Sequence, residues 1–217
     1  VLCVPFLTYA ETVLRVGENI AVETDQTVAG DYYVSVGPFS NTIMSGTVAE
    51  DMYAFGGSVT VNGKIGKDLT IVSGSSQIHG EVADDVRIVG GEVTIAEHIG
   101  GDLFVIGGVL KMLSTAKVDG DIIFFGGSAE INGTVGGSIL GTSEKIRIDG
   151  EVKKDVNVKT ATQLTLGDKA VVGGNLTYTS LDTLVRAQNA TVTGDVLQNK
   201  YTIDTPSTQD GLRGMLI

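Results

Sequence analysis

The chain has 217 residues and a formal net charge of -11 at pH 7, with 30 glycines, 3 prolines and 1 cysteine. The negative charge disfavours binding to nucleic-acid backbones and anionic lipid surfaces, and a single cysteine excludes an internal disulfide framework and a cysteine-based zinc site. Hydrophobic residues make up 42% of the chain, which excludes a disordered protein and, together with the glycines, favours short strands joined by tight turns.

The first ten residues, VLCVPFLTYA, are apolar up to Leu7 and then offer small residues at Thr8 and Ala10. Small residues at these positions are typical of the cleavage site of a secretory signal. We therefore expect residues 1–10 to be the remnant of a signal peptide. This predicts an exported or membrane-linked protein of the cell envelope, with a cytoplasmic, membrane-associated protein as the alternative.

Residues 11–27 are predicted to form a capping strand segment, and a repeat follows over residues 28–200. Each repeat has an aliphatic residue, two small or polar residues, then an aspartate or its substitute, and then alternating apolar positions. Five of the nine intervals are 17 residues, one is 19 and three are 20. The pairs are Val28/Asp31, Val48/Asp51, Ile65/Asp68, Val82/Asp85, Ile99/Asp102, Val118/Asp121, Val135/Ser138, Val152/Asp155, Val172/Asn175 and Val192/Asp195.

Alternation of apolar and polar residues within each repeat predicts strands, and no helical period is present. A propeller blade needs about 40 residues, whereas 17 residues fit one turn of a three-sided β-solenoid. The predicted fold is therefore all-β: a single-stranded parallel β-helix of about ten coils. Glycine pairs such as Gly90-Gly91 and Gly107-Gly108 are expected at the corners, where they would supply positive φ angles.

Residues 201–217 are predicted to be a C-terminal tail. This segment closes on DGLRGMLI, a short apolar run that could begin a membrane segment.

The repeat units GKIGKDLTIVSG, GEVADDVRIVGGEVTI, KVDGDIIFFGGSAEINGTVGGSI and GEVKKDVNVKT resemble those of the bactofilins, a family of polymer-forming bacterial cytoskeletal proteins. The resemblance covers residues 28–196. It implies a right-handed β-helix that assembles end to end into filaments without nucleotide, associated with a membrane and with roles in cell shape and envelope organisation. The implied partner is the protein itself, with membrane or cell-wall components in addition.

Two other function classes remain as alternatives to a filament. One is a non-polymerising extracytoplasmic spacer, and the other is a polysaccharide-binding module of a membrane protein. A catalytic cleft needs long loops, whereas the insertions here have only two or three residues, so no enzyme activity, catalytic residue or cofactor is predicted. The glycine-rich run at 136–145 lies between strands and lacks the features of a phosphate-binding loop, so no nucleotide is expected.

A row of aspartates is the strongest candidate for a site. Stacked carboxylates repel one another, and calcium could relieve this repulsion through carboxylate and carbonyl ligands. The favoured interpretation is a row of caps that bond within their own turns, because Asn175 and Ser138 replace aspartate at two positions. The two histidines, His79 and His98, fall at different repeat positions and are expected at the surface or at corners. The candidate ladder is Asp51, Asp68, Asp85, Asp102 and Asp121.

Overall fold

A computed structural model describes residues 11–199, which form 23 strands and no helix. The predicted signal remnant and the tail 201–217 lie outside this range. Within it, no helix has the length and apolar character needed to cross a membrane. The strands are β1 (Val13–Gly17), β2 (Ile20–Val22), β3 (Thr27–Val28), β4 (Tyr32–Val36), β5 (Asn41–Met44), β6 (Thr47–Val48), β7 (Met52–Val61), β8 (Lys64–Ile65), β9 (Leu69–Ile78), β10 (Val86–Ile95), β11 (His98–Ile99), β12 (Leu103–Met112), β13 (Lys117–Val118), β14 (Ile122–Ile131), β15 (Thr134–Val135), β16 (Ile139–Ile148), β17 (Glu151–Val152), β18 (Val156–Leu166), β19 (Val171–Val172), β20 (Leu176–Thr179), β21 (Val185–Arg186), β22 (Thr191–Val192) and β23 (Val196–Asn199).

The strands stack in parallel as the coils of a β-solenoid. We name the three sides after the coil that contains β10: face A is 86–90, face B is 92–95, and face C is the short strand 98–99. On face A the order is β1-β4-β7-β9-β10-β12-β14-β16-β18-β20-β23. This gives about eleven turns, against the ten predicted, because β1 and β2 pair with β4 and β5 and form a first coil from the segment expected as a cap.

The aliphatic residues that open each repeat stack directly on one another along face C, as predicted. Val82, for example, bridges in parallel to both Ile65 and Ile99. All nine predicted intervals appear as register pairs, so insertions in the 19- and 20-residue repeats lie in turns and leave the register intact. The repeat read from the sequence is therefore the coil of the structure.

The core is a single column of apolar side chains that point inward from all three faces. In the coil of β10 these side chains are completely buried: Val86, Ile88, Val93, Ile95 and Ile99. Each packs on the equivalent residue of the coils above and below. Burial of one such side chain contributes about 1.5–3 kcal/mol, so stability is distributed along the length of the molecule.

The glycine corners are placed as predicted, but the reason given for them is wrong. Gly90 stacks between Ser73 and Gly107, which confirms the equivalence of the corners. However, the only positive φ in residues 11–199 is at Gly141, with a φ of 150°. A side chain at Gly91 would place its Cβ 2.6 Å from the carbonyl oxygen of Gly74. Glycine is needed here because the coils pass too close together for a Cβ.

One irregularity lies where the sequence pattern drifts after Asp155. Strand β18 has 11 residues where its neighbour β16 has 10, and the register shifts between Ser143 and Lys145. The extra residue forms a β-bulge at the corner between faces A and B. Beyond it, Leu164 and Leu166 are completely buried, so the drift in sequence preserves the core.

Candidate functional site

The predicted aspartates stack in a ladder along the corner that precedes face A. At eight of the nine steps between the ten ladder residues, the backbone N–H of one ladder residue donates a hydrogen bond to the Oδ1 of the ladder residue one coil earlier. These N–H to Oδ1 bonds run from Asp51 to Asp31 (3.3 Å), Asp68 to Asp51 (3.1 Å), Asp85 to Asp68 (3.1 Å), Asp102 to Asp85 (2.8 Å), Asp121 to Asp102 (2.8 Å), Ser138 to Asp121 (2.7 Å), Asn175 to Asp155 (2.7 Å) and Asp195 to Asn175 (3.0 Å).

These bonds correct the expectation that each aspartate bonds within its own turn. Its Oδ1 reaches the next coil instead, so the side chain joins two coils at a corner where the strand ladders are interrupted. Asn175 performs the same role with an amide oxygen, since it accepts from Asp195 and donates its N–H to Asp155. Asn175 therefore shows that the acceptor at a ladder position need not carry a negative charge.

Arg87 binds the outer oxygens of two ladder carboxylates. Its Nη1 donates to Asp68 Oδ2 and its Nη2 to Asp85 Oδ2, both at 2.7 Å. The hydrogen bond to Asp68 is the main reason that the pKa of Arg87 lies above its ordinary value. One guanidinium thus offsets the repulsion between two stacked carboxylates, which is about 1 kcal/mol at this spacing in water.

The acidic cluster closest to a metal site lies at the same place. Carboxylate oxygens of Asp68, Asp84 and Asp85 all lie within 4.8 Å of one another. Oxygen ligands of this kind suit calcium, but Arg87 already holds an oxygen of Asp68 and of Asp85. A cation would have to displace this guanidinium. Hydrogen bonding accounts for the ladder, and calcium binding stays the less favoured of the two interpretations.

The two histidines lie apart, as expected from their different repeat positions. His79 is exposed in a turn after β9, whereas His98 is half-buried on face C. His98 Nε2 lies 2.8 Å from Asp119 Oδ2, and its Nδ1 lies 3.9 Å from Glu81 Oε1. The hydrogen bonds from Lys117 and then His98 hold the pKa of Asp119 below its ordinary value. This arrangement is a surface ion-pair network, and such exposed networks contribute little to stability.

A shallow groove of about 310 Å³ runs along face B across four coils. The residues that line it include Lys111, Glu130 and Arg147. The cations are already paired, because Lys111 donates to Glu92 at 2.7 Å and Arg147 donates to Asp149 at 3.2 Å. Among residues 11–199, no histidine or cysteine lines this groove.

In the first coil, an arginine occupies a position that is apolar and buried in the next coil. Arg15 stands in register with buried Val34, yet its Nη1 donates to the carbonyl of Ala21 on face B at 3.1 Å. Its guanidinium carbon lies 5.8 Å from the ring centroid of Tyr32. Burial raises the pKa of the Tyr32 hydroxyl, and Arg15 opposes this shift. The arginine therefore lies across the open end of the core.

The last described coil ends in the same way. Arg186 is in register with buried Leu166, and its Nε and Nη2 donate to the carbonyl of Ala190 at 3.1 and 2.9 Å. On face A, Gln198 is in register with buried Tyr178. Polar side chains at core positions let a solenoid end face water.

Comparison with known proteins finds no match to a family model, a curated protein or a solved structure. The fold is established by the strand register, and the resemblance to bactofilins stays a prediction.

Proposed function

We propose that this protein is a structural β-solenoid that joins copies of itself end to end and organises the cell envelope. The observation that carries the proposal is the pairing of the terminal strands. Among residues 11–199, β1 pairs only with β4 and β23 only with β20. Each therefore has one edge without a neighbouring strand. An unpaired parallel edge is a template for another chain.

The C-terminal coil supports this proposal with an exposed residue at a core position. Val196 is in register with Leu176, which is completely buried, whereas Val196 is 45% exposed because no described coil covers it. A second molecule that continued the register would bury Val196 and pair with β23. Contact between unlike ends repeats without closing, and such heterologous contacts generate filaments.

The remaining parts of the proposal rest on sequence. The predicted signal remnant favours an exported or membrane-linked protein with the solenoid outside the cytoplasm. Membrane or cell-wall components are then the expected partners besides the protein itself. No catalysis and no nucleotide are needed, because pairing of strand edges is driven by hydrogen bonds and apolar burial.

A non-polymerising spacer is the second candidate, and the polar ends favour it. Arg15 and Arg186 each cover a core opening, and a docking molecule would have to displace both side chains or accommodate them. In this case the protein would act as a rod of fixed length. Eleven coils at about 4.8 Å give a length of roughly 50 Å.

Electron microscopy and light scattering without nucleotide test the two candidates. Filaments of the wild-type chain support end-to-end assembly. A double variant, Arg15→Ala with Arg186→Ala, opens both ends, and Arg147→Ala is the control in the middle of the rod. Filaments in the double variant alone would show that the ends are competent but capped, which supports the spacer for the native chain. Absence of filaments in all three proteins at high concentration would overturn end-to-end assembly.

A further inference from the structure

We propose that face A pairs side by side with face A of a second copy, in antiparallel orientation, through a stripe of exposed apolar residues. The stripe has one residue from each of five successive coils, four positions after the ladder aspartate. Each is between 43% and 45% exposed, although each stands in the middle of a strand. The stripe consists of Phe55, Val72, Val89, Ile106 and Phe125.

The stripe is bounded by polar residues at both ends. Ser35 precedes Phe55 in the register, and Thr142 follows Phe125. A continuous row of exposed apolar residues is unusual on a soluble surface, where single apolar residues are the norm. Its sharp limits at both ends mark a surface of defined length, which points to a defined partner.

The order of residues along the stripe indicates that the partner is another copy of the chain. The row reads Ser, Phe, Val, Val, Ile, Phe, Thr, with aromatic rings at both ends, β-branched side chains between them, and hydroxyl residues outside. A two-fold axis through Val89 would place Phe55 of one copy against Phe125 of the other. A surface that matches itself under a two-fold axis is the requirement for an isologous dimer.

The charge of the stripe is compatible with a second copy as the partner. The chain carries a net charge of -11, so two copies repel each other over most of their surface. The stripe has no formal charge. The nearest cation on face A, Arg87, is held by Asp68 and Asp85. The stripe itself therefore adds no like-charge repulsion between two copies.

The available area fits a reversible dimer. Five coil spacings of about 4.8 Å and the five residues of face A at about 3.3 Å each give roughly 400 Å² for each copy, or about 800 Å² in total. This is below the area of about 1,000 Å² that stable specific interfaces bury, and it lies in the range of weak, transient contacts. The expected complex is a concentration-dependent dimer. It does not depend on contacts at the ends of the rod.

Single cysteines test both the surface and the axis, in a background where Cys3 is replaced by serine. Val89→Cys lies on the axis and should form a disulfide-linked dimer under mild oxidation. Phe55→Cys alone should not do so, whereas a mixture of Phe55→Cys and Phe125→Cys should give the heterodimer. Val171→Cys, which is 41% exposed on face C, is the matched control.

Sedimentation of uncrosslinked protein gives the second readout. Val89→Glu places two carboxylates on the axis and should weaken dimerisation at least tenfold, whereas Val171→Glu should leave it unchanged. Circular dichroism confirms that each variant folds. Crosslinking of Val89→Cys no faster than Val171→Cys, or wild-type monomers that bind neutral lipid vesicles through this face, would overturn the proposal. Efficient crosslinking of Phe55→Cys with itself would overturn the axis. Whether or not the Arg15→Ala and Arg186→Ala double variant forms filaments, the outcomes of the crosslinking and sedimentation experiments are unaffected.

Discussion

Replacement of Asp102 by alanine removes one step of the ladder and leaves the apolar core unchanged. Asp102 Oδ1 accepts from the Asp121 N–H at 2.8 Å, and its own N–H donates to Asp85. The second of these bonds uses backbone and survives in the variant. Asp102→Asn keeps an acceptor at the same place, as the native chain does at Asn175.

The expected cost follows from two opposing effects. A hydrogen bond to a charged group contributes about 1.5–3 kcal/mol, and water recovers part of this at an exposed corner. Relief of repulsion from neighbouring carboxylates returns up to about 1 kcal/mol. Asp102→Ala should therefore destabilise the fold by about 1 kcal/mol, which lowers the melting temperature by about 2–4 °C in a chain of this size. Asp102→Asn should stay within about 0.5 kcal/mol of the wild type.

Thermal unfolding by circular dichroism measures this difference, and amide hydrogen exchange at Asp121 locates it. Exchange should accelerate at Asp121 in the alanine variant and remain slow in the asparagine variant. Asp84→Ala is the control, because it removes a neighbouring carboxylate that lies outside the ladder. Equal destabilisation by Asp102→Ala and Asp102→Asn would refute the acceptor role and show that charge is what matters.

Other perturbations probe the corners and the surface charges. Gly91→Val should destabilise by about 1–3 kcal/mol, because its Cβ would meet the Gly74 carbonyl at 2.6 Å; normal stability in thermal unfolding would count against close coil contact as the reason for glycine. Arg87→Met should cost up to about 1 kcal/mol, and the loss should shrink in denaturant titrations at 1 M salt. Asp119 has a lowered pKa, so its contribution is complete above its ordinary value of 3.8 and is lost as pH falls through the lower folded value. In Asp119→Asn, stability should therefore fall less between pH 5 and about pH 2 than in the wild type; an identical acid profile would contradict this contribution.

The spacing of residues was enough to predict the coil, because every coil of a solenoid repeats the same arrangement of strands, turns and core residues. Val82 and Ile99 occupy equivalent positions, and the interval of 17 residues between them equals the number of residues in one coil. The direction of the ladder bonds could not be read in this way. An aspartate before a strand can reach its own turn or the next coil, and only the distance between coils decides between them.

The polar ends have a signal in the sequence that is separate from the spacing of the repeats. Arg15 falls on the inward phase of the alternation in VLRVG, and Arg186 falls where the previous coil has Leu166. Continued alternation therefore places two charged residues at core positions. The exposed stripe on face A is harder to recognise, since Val89 and Ile88 look alike in sequence and differ only in the side of the strand on which they lie.

The constant register also determines how the chain can fold. Residues in neighbouring coils are 17 to 22 positions apart, which is about 0.08–0.10 of the 217-residue chain. This relative contact order lies in the range of helical bundles, about 0.07–0.12, although every strand pairing is parallel. A chain emerging from the ribosome would need only the preceding coil as a template, so the rod can lengthen from its first turns while its C-terminal half is still being made.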